Sequence, residues 1–296
     1  MIDAPDLAAL RQRFPDAPHA RLTVGDGGLP CVDVTAPTAT GRVYLHGAHV
    51  ASWAPAGQQP VLWLSGSSWF DPAKPIRGGV PICFPWFGPH PSDPDQPAHG
   101  TARVQPWSLS RVAPTADGEV VVELTTRIRP FALTYTATLG RSLTLSLHVE
   151  NDADTSQRFE AALHTYFAVG DARRVSITGL EHTDYLDKTD DARRKNQGEA
   201  PVTFTAETDR AYLATTATCV LADPVLRRRV TIEKSGSEAT VVWNPWVAKA
   251  ARMPDFGDDE WPGMCCIETA AVGDHAITLA PGADHALTAA ISVAAM

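Results

Sequence analysis

The sequence predicts an all-β protein, built as one large antiparallel β-sandwich with few short helices. Many short β-prone runs follow one another along the chain, and Gly, Pro or Asp separates them. No helical pattern of convincing length lies between these runs. With 44% hydrophobic and 20% charged residues, the chain can fill a large core. Short strands without intervening helices favour a sandwich or barrel over parallel βαβ units.

The first half of the chain opens with a short helical pattern at residues 5–14, where Leu7, Leu10 and Phe14 recur at helical spacing. The last three strand-like runs before residue 150 predict an antiparallel meander, because residues 133–138 alternate Thr with apolar side chains. The predicted strands of this half are 22–24, 31–34, 41–44, 50–53, 61–64, 107–113, 119–128, 131–139 and 141–149.

The second half continues in the same style, without a strict internal repeat. The polar run 187–199, DKTDDARRKNQGE, is interpreted as a solvated loop. No stretch resembles a linker between domains, so residues 1–296 are predicted to form a single domain. The predicted strands are 159–167, 175–178, 202–205, 219–221, 229–234, 240–243, 265–269 and 286–293.

The segment from residue 76 to 103, IRGGVPICFPWFGPHPSDPDQPAHGTAR, concentrates prolines, glycines, aromatics and charges. Proline fixes φ and lacks a backbone donor, and the paired glycines permit a sharp turn or close approach to a ligand. We therefore expect a stiff, extended loop that carries Arg77, His99 and Arg103. The alternative is a long surface connection with scattered charges.

Composition limits the classes of partner. The formal charge of −9 argues against nucleic-acid binding, and an anionic ligand would need locally placed cations. The five cysteines are irregularly spaced, which favours reduced, buried thiols in a cytoplasmic protein over a disulfide framework. The N-terminus lacks a signal-peptide pattern, and no apolar run is long enough to span a membrane, so no membrane partner is expected.

Three ionisable residues stand in or next to strand-like runs. His164 lies in EAALHTYFAVGD, Glu268 in MCCIETAAV and Asp209 in AETDRAYLA. A buried unpaired charge is costly, so His164 and Glu268 must be paired, face solvent or line a cleft. Taken singly, the simpler interpretations are a core histidine, a structural ion pair and a turn aspartate.

Six motifs in this order, IRGGVPICFPWFG, PAHGTAR, ALHTYFAVGD, ETDRAY, WNPW and MCCIETAAV, resemble those of the hexose-6-phosphate mutarotases. These are the glucose-6-phosphate 1-epimerases of the aldose 1-epimerase (galactose mutarotase-like) superfamily. The resemblance runs from about residue 41 to the C-terminus. It implies a galactose mutarotase-like supersandwich with a sugar cleft on a concave sheet, and an isomerase that interconverts the anomers of a hexose 6-phosphate.

The resemblance also implies roles for individual residues. His164 is expected to act as the general acid and Glu268 as the general base. Arg77 and Arg103 are expected to hold the substrate, including its phosphate. Asp209 is expected to bind sugar hydroxyls and to neighbour the histidine.

Two further positions come from the same motifs. His99 is expected to contact the sugar ring. Some relatives carry a glutamine just before that histidine, where this chain has Ala98, so one polar contact differs. Of the aromatics Trp86, Phe87, Trp243 and Trp246, we expect one or two at most to touch the substrate, because large aromatics more often fill cores.

The chemistry requires one acid and one base. Anomer exchange removes the proton of the C1 hydroxyl, protonates the ring oxygen, opens the ring and closes it on the other carbonyl face. We expect the histidine and the glutamate on opposite sides of the hemiacetal, with Asp209 raising the pKa of His164. No metal or organic cofactor is required, and His46 and His49, three apart on a strand, would point to opposite faces.

Two other functions remain open from the sequence. A non-catalytic carbohydrate- or sugar-phosphate-binding sandwich would keep the arginines and aromatics but need no acid–base pair. A glycoside-cleaving enzyme would need two carboxylates flanking the bond, which the His/Glu pairing disfavours. The expected partner is a small-molecule sugar phosphate, and the expected state is a monomer.

Overall fold

Antiparallel strands are the main regular secondary structure of the described chain, as the sequence predicts. The computed structural model describes residues 7–15 and 17–296. The helices and first strands are α1 (Leu7–Arg13), β1 (Ala20–Val24), β2 (Pro30–Thr35), β3 (Ala39–Tyr44), β4 (His49–Pro55), β5 (Ile82–Cys83), β6 (Ser108–Pro114), β7 (Val120–Ile128), β8 (Phe131–Leu139), β9 (Leu143–Asn151), β10 (Gln157–Phe159), β11 (Ala161–Leu163) and β12 (Tyr166–Ala168).

The second half adds ten more strands and one short helix within the described residues. In chain order they are β13 (Ser176–Thr178), β14 (Asp184–Asp187), β15 (Arg193–Asn196), β16 (Thr208–Leu213), β17 (Cys219–Asp223), β18 (Arg228–Ser235), β19 (Ala239–Asn244), α2 (Trp246–Ala250), β20 (Met264–Ala271), β21 (Ile277–Leu279) and β22 (Asp284–Ala295).

Two eight-stranded sheets form the sandwich. We call the first the site sheet; its order is β15-β14-β16-β19-β20-β11-β5, with β12 also paired to β20. The second has the order β13-β17-β18-β22-β9-β8-β7-β6, and it contains the predicted meander as β7, β8 and β9. A four-stranded sheet, β1-β2-β3-β4, and the pair β10-β21 complete the fold.

One hydrophobic core fills the space between the sheets. It takes Leu145 and Leu147 from the second sheet and Val242 and Ile267 from the site sheet. Successive side chains of a strand point to opposite faces. On β20, Ile267 therefore enters the core while its neighbour Glu268 points to the other face of the site sheet. The same alternation puts Asp209 of β16 and Glu268 of β20 on the outer face.

Four predicted segments differ from the structure. Residues 61–64 and 202–205 form only isolated bridges, and the run 159–167 is broken into three short strands. The polar run 187–199 is not wholly a loop, because it contains the edge strand β15. The predicted helix is α1, although residues 5 and 6 lie outside the described residues. Within residues 7–15 and 17–296, no helix is long and apolar enough to cross a membrane.

Candidate active site

A cavity of about 340 Å³ lies on the outer face of the site sheet, within the usual size range for small-molecule sites. The loop between residues 84 and 101 forms one wall, and strands β16, β19 and β20 form the other. All six residues singled out in the sequence line this cavity: Arg77, His99, Arg103, His164, Asp209 and Glu268. The fold therefore gathers side chains that are up to 191 positions apart in the sequence.

His164 occupies the break between β11 and β12. Its backbone N–H donates at 3.0 Å to the carbonyl of Pro81, the residue that precedes β5. Pairing resumes at Tyr166, opposite Cys266 of β20. The imidazole ring stacks on the Tyr166 ring, with centroids 4.8 Å apart and an interplanar angle of 19°. This stacking holds the imidazole against the outer face of the sheet.

Glu268 lies beside His164 on the neighbouring strand. His164 Nε2 and Glu268 Oε1 are 3.3 Å apart, and the Glu268 side chain is 1% exposed. Among the described residues, neither carboxylate oxygen of Glu268 nor Nδ1 of His164 has a hydrogen-bond partner. Buried polar atoms are normally paired, and leaving one unpaired costs about 1–3 kcal/mol. Such uncommitted groups are typical of functional sites, so the pair is free to bind and exchange protons.

Burial sets the charge of this pair. It raises the pKa of Glu268 well above its usual value, and Lys188 and Arg103 only partly offset that effect. It lowers the pKa of His164 well below its usual value, and the positive charges of Arg103 and Arg77 add to the shift. Both groups are therefore driven towards their neutral forms. The pair titrates as a unit that holds one proton over the intervening pH range.

A pH-dependent stability effect follows from the raised pKa of Glu268. Because its folded-state pKa exceeds its unfolded-state value, ionising Glu268 destabilises the fold progressively as pH rises. The Glu268→Gln variant removes this penalty. We expect its melting temperature, relative to wild type, to be higher at about pH 8 than at about pH 5. Thermal melts across this range measure the difference, and a difference independent of pH would contradict the raised pKa.

The expectation that Asp209 raises the pKa of His164 is wrong. The pKa of His164 is lowered, by burial first, and Asp209 is not among the charges that act on it appreciably. Asp209 lies on β16, two strands from Glu268, and its charge acts on that carboxyl instead. Burial also raises the pKa of Asp209 itself, against the opposing charges of Lys188 and Lys249.

His164 and Glu268 lie side by side, whereas the expectation from the chemistry of anomer exchange is an acid and a base on opposite sides of the hemiacetal. They occupy adjacent strands of one sheet and therefore share one wall of the cavity. In a pyranose, the hydroxyl oxygen O1 and the ring oxygen O5 are both bonded to C1. Two neighbouring groups can reach both oxygens when that edge of a sugar faces the sheet.

The two arginines have different partners. Arg77 donates through Nε and Nη2 to Asp255 at 3.1 and 3.0 Å, and through Nη1 to the Tyr166 hydroxyl at 3.0 Å. Arg103 donates from Nη2 to the carbonyl of Ala98, and its buried Nε has no partner in the described chain. No carboxylate among the described residues lies within ion-pair distance of Arg103. Its charge therefore remains available to an anion.

The loop wall is held by contacts between its two ends. Gly88 donates its N–H to His99 Nδ1 at 3.3 Å, and His99 donates its own N–H to the Gly88 carbonyl at 2.7 Å. Burial, reinforced by the charge of Arg103, lowers the pKa of His99 well below its usual value. The neutral ring accepts at Nδ1, so its proton is on Nε2. His99 can therefore donate a hydrogen bond from that atom.

Gly100 fixes the turn between His99 and Arg103. It has a φ of +76°, and a Cβ at this position would lie 1.9 Å from the Phe84 carbonyl oxygen. We expect Gly100→Ala to lose about 1–3 kcal/mol of unfolding free energy and to raise KM, because the backbone carrying both side chains must move. Gly282→Ala is the matched control, since Gly282 has a φ of +69° with nothing within 4 Å of its Cβ position. If urea denaturation shows equal losses of unfolding free energy for the two variants, the steric clash at position 100 is contradicted.

Several cavity residues escaped the sequence analysis. Lys188 was placed in a solvated loop, yet it lines the cavity, as do Lys249 and Tyr166. The sequence around these two lysines and this tyrosine does not distinguish them from lysines and tyrosines elsewhere in a protein. Of the four aromatics considered, Phe87 and Trp243 line the cavity, in keeping with one or two contacts.

Among the described residues, one set of side chains could hold a metal ion. Ligand atoms of His164, Cys266 and Glu268 all lie within 4.8 Å of one another. Two of these residues, His164 and Glu268, form the buried pair, and the positive charges of Arg103 and Lys188 act on the Glu268 carboxyl. The surrounding charge therefore favours an anionic ligand over a cation.

The chain is similar in sequence to known proteins. The family model described as aldose 1-epimerase matches residues 30–292. A candidate glucose-6-phosphate 1-epimerase of Escherichia coli strain K12 is 36% identical over 250 residues, which cover 82% of this chain and 83% of that protein. A protein of the same description from Cenchrus ciliaris is 35% identical over 285 residues, covering 90% and 85%.

A solved structure extends the similarity to the fold. The crystal structure of a candidate mutarotase, YeaD, from Salmonella typhimurium superimposes with a TM-score of 0.87 at 30% sequence identity. The match covers 94% of this chain and 95% of that one. The galactose mutarotase-like sandwich predicted from the sequence is confirmed by this likeness.

Proposed function

The chain belongs to the aldose 1-epimerase family, and from this premise we propose that it interconverts the α and β anomers of a hexose 6-phosphate, with glucose 6-phosphate as the expected substrate. The observation that carries the proposal is the uncommitted pair of His164 and Glu268, 3.3 Å apart in a cavity that also holds cationic side chains. A structural ion pair would have its remaining polar atoms satisfied by the protein.

In the proposed reaction, ionised Glu268 removes the proton of the C1 hydroxyl while protonated His164 gives a proton to the ring oxygen O5. The C1–O5 bond breaks, the aldehyde forms at C1, and rotation about C1–C2 presents its other face. His164 then recovers the proton from the O5 hydroxyl as that oxygen attacks C1, and Glu268 returns a proton to O1. The sugar and the pair together neither gain nor lose a proton.

The electrostatics of the site suit this exchange. Ring opening starts from the charged arrangement of the pair, with the proton on the histidine, and ends with the proton on the glutamate. Burial favours the neutral forms of both groups, which is the arrangement of the open-chain state. The charged arrangement therefore favours the step in which His164 gives a proton to O5 and Glu268 takes one from O1. Each such transfer typically contributes about a hundred- to ten-thousand-fold in rate.

Local positive charge supports a phosphorylated substrate. The protein carries a formal charge of −9, yet the cavity is lined by four cations, Arg77, Arg103, Lys188 and Lys249, and by two carboxylates. An arginine presents a planar set of donors that matches phosphate oxygens. Arg103 is the strongest candidate for this contact, because it has no carboxylate partner among the described residues.

The remaining lining groups support recognition of the sugar itself. Asp209 can accept hydrogen bonds from hydroxyls, and His99 can donate one from Nε2. Phe87 and Trp243 offer apolar faces to a pyranose ring. All five cysteines are free and buried, which supports a reducing compartment such as the cytoplasm as the place of action.

Exchange spectroscopy tests the proposal. The α and β anomers of glucose 6-phosphate give separate C1 proton signals in NMR, and magnetisation transfer between them reports the rate of interconversion. We expect the protein to raise this rate far above the spontaneous one, and to act more efficiently on glucose 6-phosphate than on glucose. Binding of glucose 6-phosphate without faster exchange would instead support a non-catalytic binding protein.

A further inference from the structure

Lys188 holds a defined position at the exposed side of the cavity. It is the first residue after β14, and its backbone N–H donates to the carbonyl of Asp209 at 2.8 Å. This bond ties its backbone to β16, a strand that lines the cavity. The residue itself is exposed, so its side chain can reach solvent and cavity alike. This hydrogen bond fixes the position of the Lys188 backbone beside the cavity, while its long side chain remains flexible.

The amino group of Lys188 reaches across the opening. Its Nζ lies 4.3 Å from the centre of the Phe87 ring, and Phe87 belongs to the opposite, loop-formed wall. Burial raises the pKa of Glu268, and the positive charge of Lys188 lowers it more than any other charge does. The ammonium group is therefore close to both walls of the cavity.

The charge of Lys188 is not neutralised by an acid. Among the described residues, no carboxylate lies within 4.0 Å of its Nζ. The other lysines nearby are paired: Lys195 contacts Asp187 and Asp190, each at 2.8 Å, and Lys249 contacts Glu207 at 3.1 Å. Although this hairpin is rich in acids, the Lys188 ammonium group has no carboxylate partner among the described residues, and the residue lines the cavity.

A ring face is a weak partner for an ammonium ion. At exposed sites such a contact contributes only about 0.5–1 kcal/mol, whereas hydrogen bonds between charged groups contribute about 1.5–3 kcal/mol. An anionic group entering the cavity can therefore draw the ammonium away from Phe87. The side chain is flexible enough to follow, since a chain of four methylene groups separates Nζ from Cα.

We propose that Lys188 is a specificity-determining residue that binds the anionic group of the substrate and favours phosphorylated over neutral sugars. The inference rests on the proposed function and deepens it. Lys188 is, after Arg103, a second cation of the cavity without a carboxylate partner among the described residues, and it lies at the exposed side of the cavity. Entry of the sugar phosphate replaces the contact with Phe87 by contacts to phosphate oxygens.

The test compares Lys188→Gln, Lys188→Arg and wild type in anomer exchange and in equilibrium binding. We expect Lys188→Gln to lower kcat/KM for glucose 6-phosphate about ten-fold or more, through KM, and to lower kcat/KM for glucose by a much smaller factor. The Lys188→Arg variant should retain most of the selectivity. Calorimetric titration with glucose 6-phosphate should show the same loss of affinity for Lys188→Gln, independently of turnover.

The matched control is Arg193→Gln, which removes one positive charge from the same hairpin. Arg193 is exposed and its nearest acid, Asp190, is 3.7 Å away, so the variant should leave both sugars unaffected. Selectivity within two-fold of wild type in Lys188→Gln would overturn the proposal. So would an equal loss for glucose and glucose 6-phosphate, which would assign Lys188 to the charge balance of Glu268.

The outcomes also separate this inference from the proposed function. If wild type accelerates neither exchange but binds glucose 6-phosphate, and Lys188→Gln weakens that binding, the Lys188 inference stands and the catalytic proposal fails. If wild type is active and selective and Lys188→Gln does not change its selectivity, the catalytic proposal stands and the Lys188 inference fails.

Discussion

Glu268→Gln and His164→Ala should each lower the rate of anomer exchange by about a hundred- to ten-thousand-fold. Each variant removes one of the two groups that must move a proton in the same step. Because the pair acts as a unit, we expect the double variant to be little worse than either single variant. The measurement is NMR exchange of glucose 6-phosphate at saturating substrate, with binding followed separately by calorimetry.

The controls for this prediction are Glu233→Gln and His148→Ala, which make the same kinds of change on the second sheet, at an exposed and a half-buried position respectively. They should keep wild-type activity. Retention of more than a tenth of the wild-type rate by either Glu268→Gln or His164→Ala would contradict the assigned roles. Fully additive losses in the double variant would show that the two groups act in separate steps.

Arg103→Ala should raise KM for glucose 6-phosphate by about ten-fold or more while leaving KM for glucose nearly unchanged. Its guanidinium has no carboxylate partner in the described chain. Truncation therefore mainly removes the contact with the phosphate group of the substrate. Arg77→Ala should also raise KM for the phosphorylated sugar more than for glucose. Equal effects on both sugars would exclude a phosphate contact for the arginine concerned.

The two arginines should differ in stability. Arg77→Ala leaves Asp255, which is 4% exposed, without its ion-pair partner, and breaking a buried pair typically costs about 3–5 kcal/mol. Arg103→Ala leaves no acid unpaired and should cost much less. Urea denaturation of both variants gives the comparison, and a larger loss for Arg103→Ala would contradict the distinct pairing of these residues.

Much of the fold could be predicted because the strands that face the core carry a clear alternating pattern. Residues 131–139 alternate buried and half-buried side chains along β8, as the Thr and apolar residues predict. The edge strand β15 could not be predicted in this way, because its residues are all at least partly exposed and polar. The break at His164 was also missed, since an apolar run gives no sign of where its ladder is interrupted.

The candidate site was predictable only as far as its motifs extend. The order of six motifs identified residues that the structure gathers round one cavity, but motifs do not contain the long-range partners of each residue. Asp255 pairs with Arg77 across 178 positions. Lys188 lies in a charged run whose other members point elsewhere. Which cation stays unpaired depends on tertiary contacts, and so does the direction of the His164 pKa shift.

The central claim is that one cavity directs C1 and O5 of a sugar phosphate at His164 and Glu268 while free cations hold the phosphate. A crystal structure of the Glu268→Gln variant with bound glucose 6-phosphate tests it most directly. We predict O1 and O5 within hydrogen-bond distance of the side chains at positions 268 and 164, and phosphate oxygens at Arg103 and Lys188. A sugar bound with its C1 end directed away from this pair, or bound outside the cavity, would contradict the account.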